Sequence, residues 1–125
     1  MLQQGIILEE DLTVSSQHTA ACYGSGLLPV FATPAMLAWM ESVAYKSVEA
    51  YLPEGCGTVG AAVHLEHLKA SPVGAHLHCV SKLVAVEDRK LTFQIEVYEG
   101  EVKAGCAEHV RYIVDNERFM SKFKK

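Results

Sequence analysis

The sequence predicts an α+β domain in which one apolar helix is covered by an antiparallel sheet. Three observations predict it. Thr33-Pro34 opens an apolar stretch that runs to a break at Pro53-Glu54-Gly55. After that break the chain reads as strands and turns almost to its end. One of those runs alternates cleanly, with Leu91, Phe93, Ile95 and Val97 set against Thr92, Gln94, Glu96 and Tyr98, the pattern of a half-buried antiparallel strand. One helix and several strands must bury their apolar faces on each other, and the simplest solution is a curved sheet wrapped around the helix.

In chain order, Gly5 to Val14 reads as a strand with moderate alternation, and a Ser-, Gly- and Pro-bearing connection follows from Ser15 to Pro29. Connections of this length in compact domains tend to be lids or subunit contacts, with plain disorder as the alternative. The helix is expected from Pro34 to about Leu52. Its Met36, Leu37, Trp39, Met40, Val43, Ala44 and Val48 cover more than one narrow stripe, so protein should surround much of its circumference. Strands are expected at Gly57 to Lys69, Gly74 to Val86, Leu91 to Tyr98 and Val102 to Val114, with a short helical tail from Asn116 to Phe123. A sheet of this kind leaves open edges, and pairing the edges of two subunits would cover them, so a homodimer is expected.

A chain of 125 residues, half of them apolar, fits a single domain spanning residues 1–125. The four cysteines are spread widely, with no CxxC pair, and read as reduced, mostly packed thiols. No signal or transit segment is apparent at the N-terminus, so a cytoplasmic location is expected, and no apolar stretch is long enough to span a bilayer. The formal charge of −4 argues against nucleic acid as a partner. Lys122, Lys124 and Lys125 form the one dense basic cluster, which reads either as an anion contact or as a solvated tail.

Candidate chemistry comes from a few polar residues in apolar settings. Thr33 stands at a loop-to-helix junction, where a hydroxyl faces a cleft or serves as a structural N-cap. Glu41 falls inside the most apolar helix, where a carboxylate must be paired, hydrated or shifted in pKa unless one helix face reaches water. His64 and His67 fall on opposite faces of a regular strand, so one imidazole should face the helix and the other should face outward. They are not expected to share a metal. His76 and His78 do share a face, yet no third ligand has recognisable spacing, and they read better as an exposed polar stripe. His18 and His109 carry no local pattern, and neither metal nor cofactor is expected.

The order and intervals of these residues carry a more specific likeness. The run Val30-Phe31-Ala32-Thr33-Pro34-Ala35-Met36, then Met40-Glu41, Tyr51-Leu52-Pro53-Glu54-Gly55, Gly57-Thr58-Val59-Gly60-Ala61-Ala62-Val63, His67 and Ala70-Ser71-Pro72-Val73-Gly74 resembles the fluoroacetyl-coenzyme A thioesterase family of the hotdog fold. The likeness extends from about Val30 to Arg111 and implies hydrolysis of an acyl-coenzyme A substrate. It further implies that Thr33, Glu41 and His67 are the catalytic set, that Gly60 and Arg111 contact substrate, and that the protein is a homodimer with its active sites near the subunit interface. Leu27 stands where the fluoroacetyl-specific enzyme has a lid phenylalanine, so the resemblance speaks for thioester hydrolysis rather than for that particular acyl group. Two other readings of the same residues are a dimer that binds an acyl-coenzyme A or another small ligand without turnover, and a dehydratase acting on 3-hydroxyacyl thioesters.

Overall fold

The computed structural model describes residues 2–124. Five strands, β1 (Ile7–Thr13), β2 (Cys56–His67), β3 (His76–Glu87), β4 (Lys90–Glu99) and β5 (Val102–Asp115), form one antiparallel sheet in the order β1-β3-β4-β5-β2. Three helices accompany them: α1 (Ala20–Tyr23), α2 (Thr33–Glu49) and α3 (Asn116–Ser121). The expected order of elements holds throughout. The Ser15–Pro29 connection is more structured than an open loop, because it contains a 3-10 turn at Ser16–His18 as well as α1.

Helix α2 packs on the concave face of the sheet and touches β1, β2, β3 and β4. Met36, Met40, Val43, Ala44 and Val48 are buried there against Leu77, Leu83, Leu91, Phe93, Ile95 and Val97. Such burial stabilises the domain by roughly 1.5–3 kcal/mol for each large side chain removed from water. Two polar clips orient the helix. Trp39 Nε1 donates to Glu10 of β1 at 2.9 Å, and Lys46 pairs with the other oxygen of the same carboxylate at 3.1 Å.

The start of α2 is fixed from both sides by backbone bonds. Phe31 N donates to Ser71 O and Ala32 N donates to His18 O, each at 2.8 Å, while Thr19 bridges Phe31 and Val30 bridges Pro72. This brace makes Ala32 the N-cap residue and places Thr33 inside the first turn, with Pro34 following it. Thr33 is therefore not the side-chain cap that the sequence allows, and its hydroxyl is left for another partner.

A bulge in β2 has the largest effect on the site. The β2–β5 register pairs Gly60 with Arg111 and then Ala62 with Val110, so Ala61 is the extra residue. Across a regular strand Gly60 and His67, seven residues apart, would face opposite sides of the sheet. With the bulge they share the helix-facing side. His64 keeps its place on the outer face with Glu66, Gln94 and Glu96, as strict alternation from His67 requires.

No cysteine among the described residues is in a disulfide, and burial pushes the Cys79 thiol up to about 12, which keeps it protonated. His76 meets Thr13, and His78 is held between Asp11 and Glu9, each at 2.6 Å. No group of three His, Cys, Asp or Glu among the described residues could hold a metal ion. None of the described helices is long and apolar enough to cross a membrane.

Candidate active site

Two polar clusters lie along α2. At its first turn, Thr33 Oγ1 sits 2.9 Å from His67 Nδ1 at the end of β2. Phe31 packs edge-on to the His67 ring with centroids 6.2 Å apart. His67 Nε2 is buried and has no hydrogen-bond partner among the described residues. Burial holds this imidazole below its usual pKa, partly offset by a backbone hydrogen bond at Lys69. A neutral ring against a threonine hydroxyl can accept its proton or orient it. A cavity of about 320 Å³ opens beside the pair, lined by Ala20, Val30, Phe31 and Ala32 as well as by Thr33 and His67.

The second cluster is centred on Arg111, near the middle of α2. Its Nε donates to Thr58 Oγ1 at 2.8 Å and its Nη2 to the Thr58 carbonyl at 3.0 Å. Its Nη1 lies 3.2 Å from Glu41 Oε2 and 3.1 Å from His109 Nε2. A guanidinium only donates, so His109 must accept at Nε2 and carry its proton on Nδ1. That proton goes to the carbonyl of Ala62, at 2.9 Å, immediately after the β2 bulge. His109 is 1% exposed, and burial holds its pKa below the usual imidazole value, consistent with the neutral tautomer that the bonding requires. Burial also lowers the Arg111 pKa, against the opposing charge and hydrogen bond of Glu41. Tyr45 covers the guanidinium from α2, its ring centroid 5.9 Å from the Arg111 carbon.

Gly60 completes this cluster by having no side chain. A Cβ there would run into Glu41 Oε2 and come within 3.3 Å of His109 and 3.4 Å of Arg111. The glycine thus makes the space into which the Glu41 carboxylate reaches.

The structure brings together Thr33 with His67, and Glu41 with Gly60 and Arg111. It does not bring the two groups into contact within one chain. Thr33 and Glu41 are eight residues apart on α2, a rise of about 12 Å. Leu27 is 93% exposed at the tip of the segment after α1 and does not line the Thr33 cavity, although its neighbour Ser25 does. Sequence reasoning passed over His109 and Thr58. A signal for His109 did exist, since it lies two residues from Arg111 on an alternating strand and must share its face.

An antiparallel sheet around one central helix, with a Thr-His pair and an Arg-bound carboxylate on the enclosed face, defines the hotdog class of thioesterase-like proteins. The family model for the fluoroacetyl-CoA-specific thioesterase FlK matches residues 14–117. This chain belongs to that family. It is 30% identical over 96 residues to the fluoroacetyl-CoA thioesterase of Streptantibioticus cattleyicolor, covering 77% of this chain and 69% of the relative. A solved structure of the fluoroacetyl-CoA thioesterase FlK superposes with a TM-score of 0.92 at 26% identity, covering 99% of this chain and 96% of that one. A variant of the same enzyme, solved with fluoroacetate and CoA, superposes with a TM-score of 0.88 at 26% identity, covering 94% and 99% of the two chains. A Thermus thermophilus member of the thioesterase superfamily shares the fold, with a TM-score of 0.89 at 22% identity over 98% of this chain and 90% of that one.

Proposed function

We propose that this protein is an acyl-CoA thioesterase that releases a small carboxylic acid and free coenzyme A, using Thr33, Glu41 and His67 in a homodimer of single-domain subunits. The observation that carries the reading is the Arg111-bound carboxylate of Glu41, which reaches into the space left by Gly60 on the enclosed face of a fluoroacetyl-CoA thioesterase family fold.

The separation of the two clusters supports the dimer. Strand β2 is an edge strand, and residues 60–64 along its middle are exposed. An unpaired edge of this length is a template for a second strand. A two-fold pairing of β2 with its copy runs the strands in opposite directions, so the His67 end of one lies beside the Gly60 end of the other. Each active site then takes Thr33 and His67 from one subunit and Glu41, Gly60 and Arg111 from its partner.

In this arrangement the small acyl group occupies the cavity beside Phe31, Val30 and Ala32, whose volume suits a short chain. Glu41 attacks the thioester carbonyl directly or acts as base toward water, and Arg111 fixes the direction of its carboxylate. Backbone N–H groups near Gly60 are the candidates for the oxyanion, where loss of one donor typically costs roughly 3–4 kcal/mol. Thr33 positions the attacking or the carbonyl oxygen. His67 orients the carboxylate or delivers a proton to the departing thiolate.

The test is release of free thiol from a panel of short acyl-CoA esters by the wild-type protein and by Glu41→Ala and His67→Ala. Rapid release by the wild type and loss in both variants is expected. Equal rates in all three proteins would remove the site assignment, and thiol-free stabilisation of the protein by the esters would point to a binding module instead.

A further inference from the structure

A guanidinium is a rigid plane, so the direction in which Arg111 aims the Glu41 carboxylate depends on what holds the edges of that plane. Thr58 holds one edge, accepting from Nε at 2.8 Å through its hydroxyl and from Nη2 at 3.0 Å through its carbonyl. The remaining corner, Nη1, has two acceptors, Glu41 Oε2 at 3.2 Å and His109 Nε2 at 3.1 Å. These two acceptors lie 3.7 Å apart, and the same nitrogen serves both. The point to which His109 draws Nη1 therefore decides where Oε2 comes to rest.

His109 is placed to do this without touching a substrate, because it is 1% exposed. Its ring packs against the fully buried Phe93, with centroids 6.2 Å apart, and its Cε1 faces Gly60, where an added Cβ would come within 3.3 Å. Both nitrogens are engaged. The Ala62 carbonyl only accepts, so its 2.9 Å bond to Nδ1 puts the single ring proton there and leaves a lone pair on Nε2 for Arg111. The other tautomer would turn an N–H against the guanidinium and a lone pair against the carbonyl. Ala62 follows the β2 bulge directly, so a continuous chain of bonds runs from the bulge through His109 and Arg111 to the carboxylate.

We propose that His109 is a positioning residue for thioester cleavage, tying the β2 bulge to the guanidinium that aims Glu41 through its bonds to Ala62 and Arg111. The inference rests on the thioesterase reading of the site and adds to it a residue that acts only through another. The bulge then has two effects: it gives Gly60 and His67 a common face, and it supplies the carbonyl that fixes the His109 tautomer.

Two substitutions separate the two bonds of the ring. In His109→Gln the side-chain amide reaches the place of Nε2, where its oxygen can accept from Arg111. In His109→Asn it reaches only the place of Nδ1, where its nitrogen can donate to Ala62. For thiol release from a short acyl-CoA ester, kcat should be about tenfold lower in His109→Asn than in His109→Gln, with KM values within about threefold of each other. A merely structural histidine would give both variants the same kcat per folded molecule, the folded fraction being read from a thermal melt of each. The second measurement is nitrogen-15 NMR of the wild type at neutral pH, with the His109 signals identified by their absence from His109→Gln. It should show a proton on Nδ1 and none on Nε2. A kcat ratio below about threefold, a difference carried by KM alone, or a proton on Nε2 would overturn the role. Absence of hydrolysis of every ester by the wild type would instead remove the thioesterase reading, and the spectrum would still decide whether the link from Ala62 through His109 to Arg111 exists.

Discussion

Substituting Gly60→Ala separates the role of the Glu41 pocket in catalysis from its role in stability. The added Cβ collides with Glu41 Oε2, the far end of a flexible side chain that is 39% exposed. Glu41 can escape by rotating toward solvent, whereas His109 and Arg111, both buried, leave the new methyl little room. The escape costs about 1 kcal/mol in rotamer strain, and the partly exposed Glu41–Arg111 pair contributes at most about 1 kcal/mol more. A total of about 1–2 kcal/mol lowers Tm by roughly 4–8 °C in a domain of this size, so the fold survives. Catalysis fares worse, because the carboxylate no longer occupies the space facing the substrate. Loss of that placement should reduce kcat at least about a hundredfold, equivalent to about 2.7 kcal/mol of transition-state stabilisation. The assay is thiol release under saturating ester, with a thermal melt on the same preparation. A variant that keeps kcat within about threefold of wild type, with the same small drop in Tm, would refute the proposed role of Glu41.

Three further outcomes follow from the geometry. His109 is held neutral by burial, so the unfolded state takes up its proton first. Stability from this residue is therefore complete above about pH 6.5 and declines as the pH falls toward its lowered native pKa. In His109→Phe this part of the acid sensitivity should disappear in denaturant titrations across pH 5–8, and an unchanged slope would count against the neutral assignment. Gly105, the register partner of His67, abuts the fully buried Met36, so Gly105→Ala should cost about 1–3 kcal/mol by overpacking, read from the shift in denaturation midpoint. Single turnover in labelled water should place solvent oxygen in Glu41 if its carboxylate attacks directly and water opens the resulting anhydride at the Glu41 carbonyl; label confined to the released acid would count against that route.

Much of the fold was legible because its signals are local. The alternation of Leu91 to Tyr98, the Pro34 start of α2 and the Pro53-Glu54-Gly55 stop each report on neighbouring residues, and each element formed within a few residues of its expected bounds. The site was legible as residues but not as geometry. Thr33 reads as a cap from sequence, and only the tertiary bonds at Phe31 and Ala32 move the cap back to Ala32 and release its hydroxyl. Gly60 and His67 acquire a common face through a one-residue bulge, and no alternation rule finds a bulge in Gly60-Ala61-Ala62. His109 was hidden for a different reason. Its importance lies in what it bonds, the Ala62 carbonyl and Arg111, and those partners are distant in sequence or recognisable only once the strand is paired.

The division of the catalytic set between two subunits can be tested most directly by mixing two inactive proteins. Glu41→Ala and His67→Ala homodimers each lack one residue at every site. After unfolding and refolding together, half of the dimers should be mixed, and each mixed dimer should hold one intact site built from His67 of one chain and Glu41 of the other. Thiol release should recover to about a quarter of the wild-type rate. A mixture that forms dimers yet stays as inactive as its parents would contradict the shared thioesterase site.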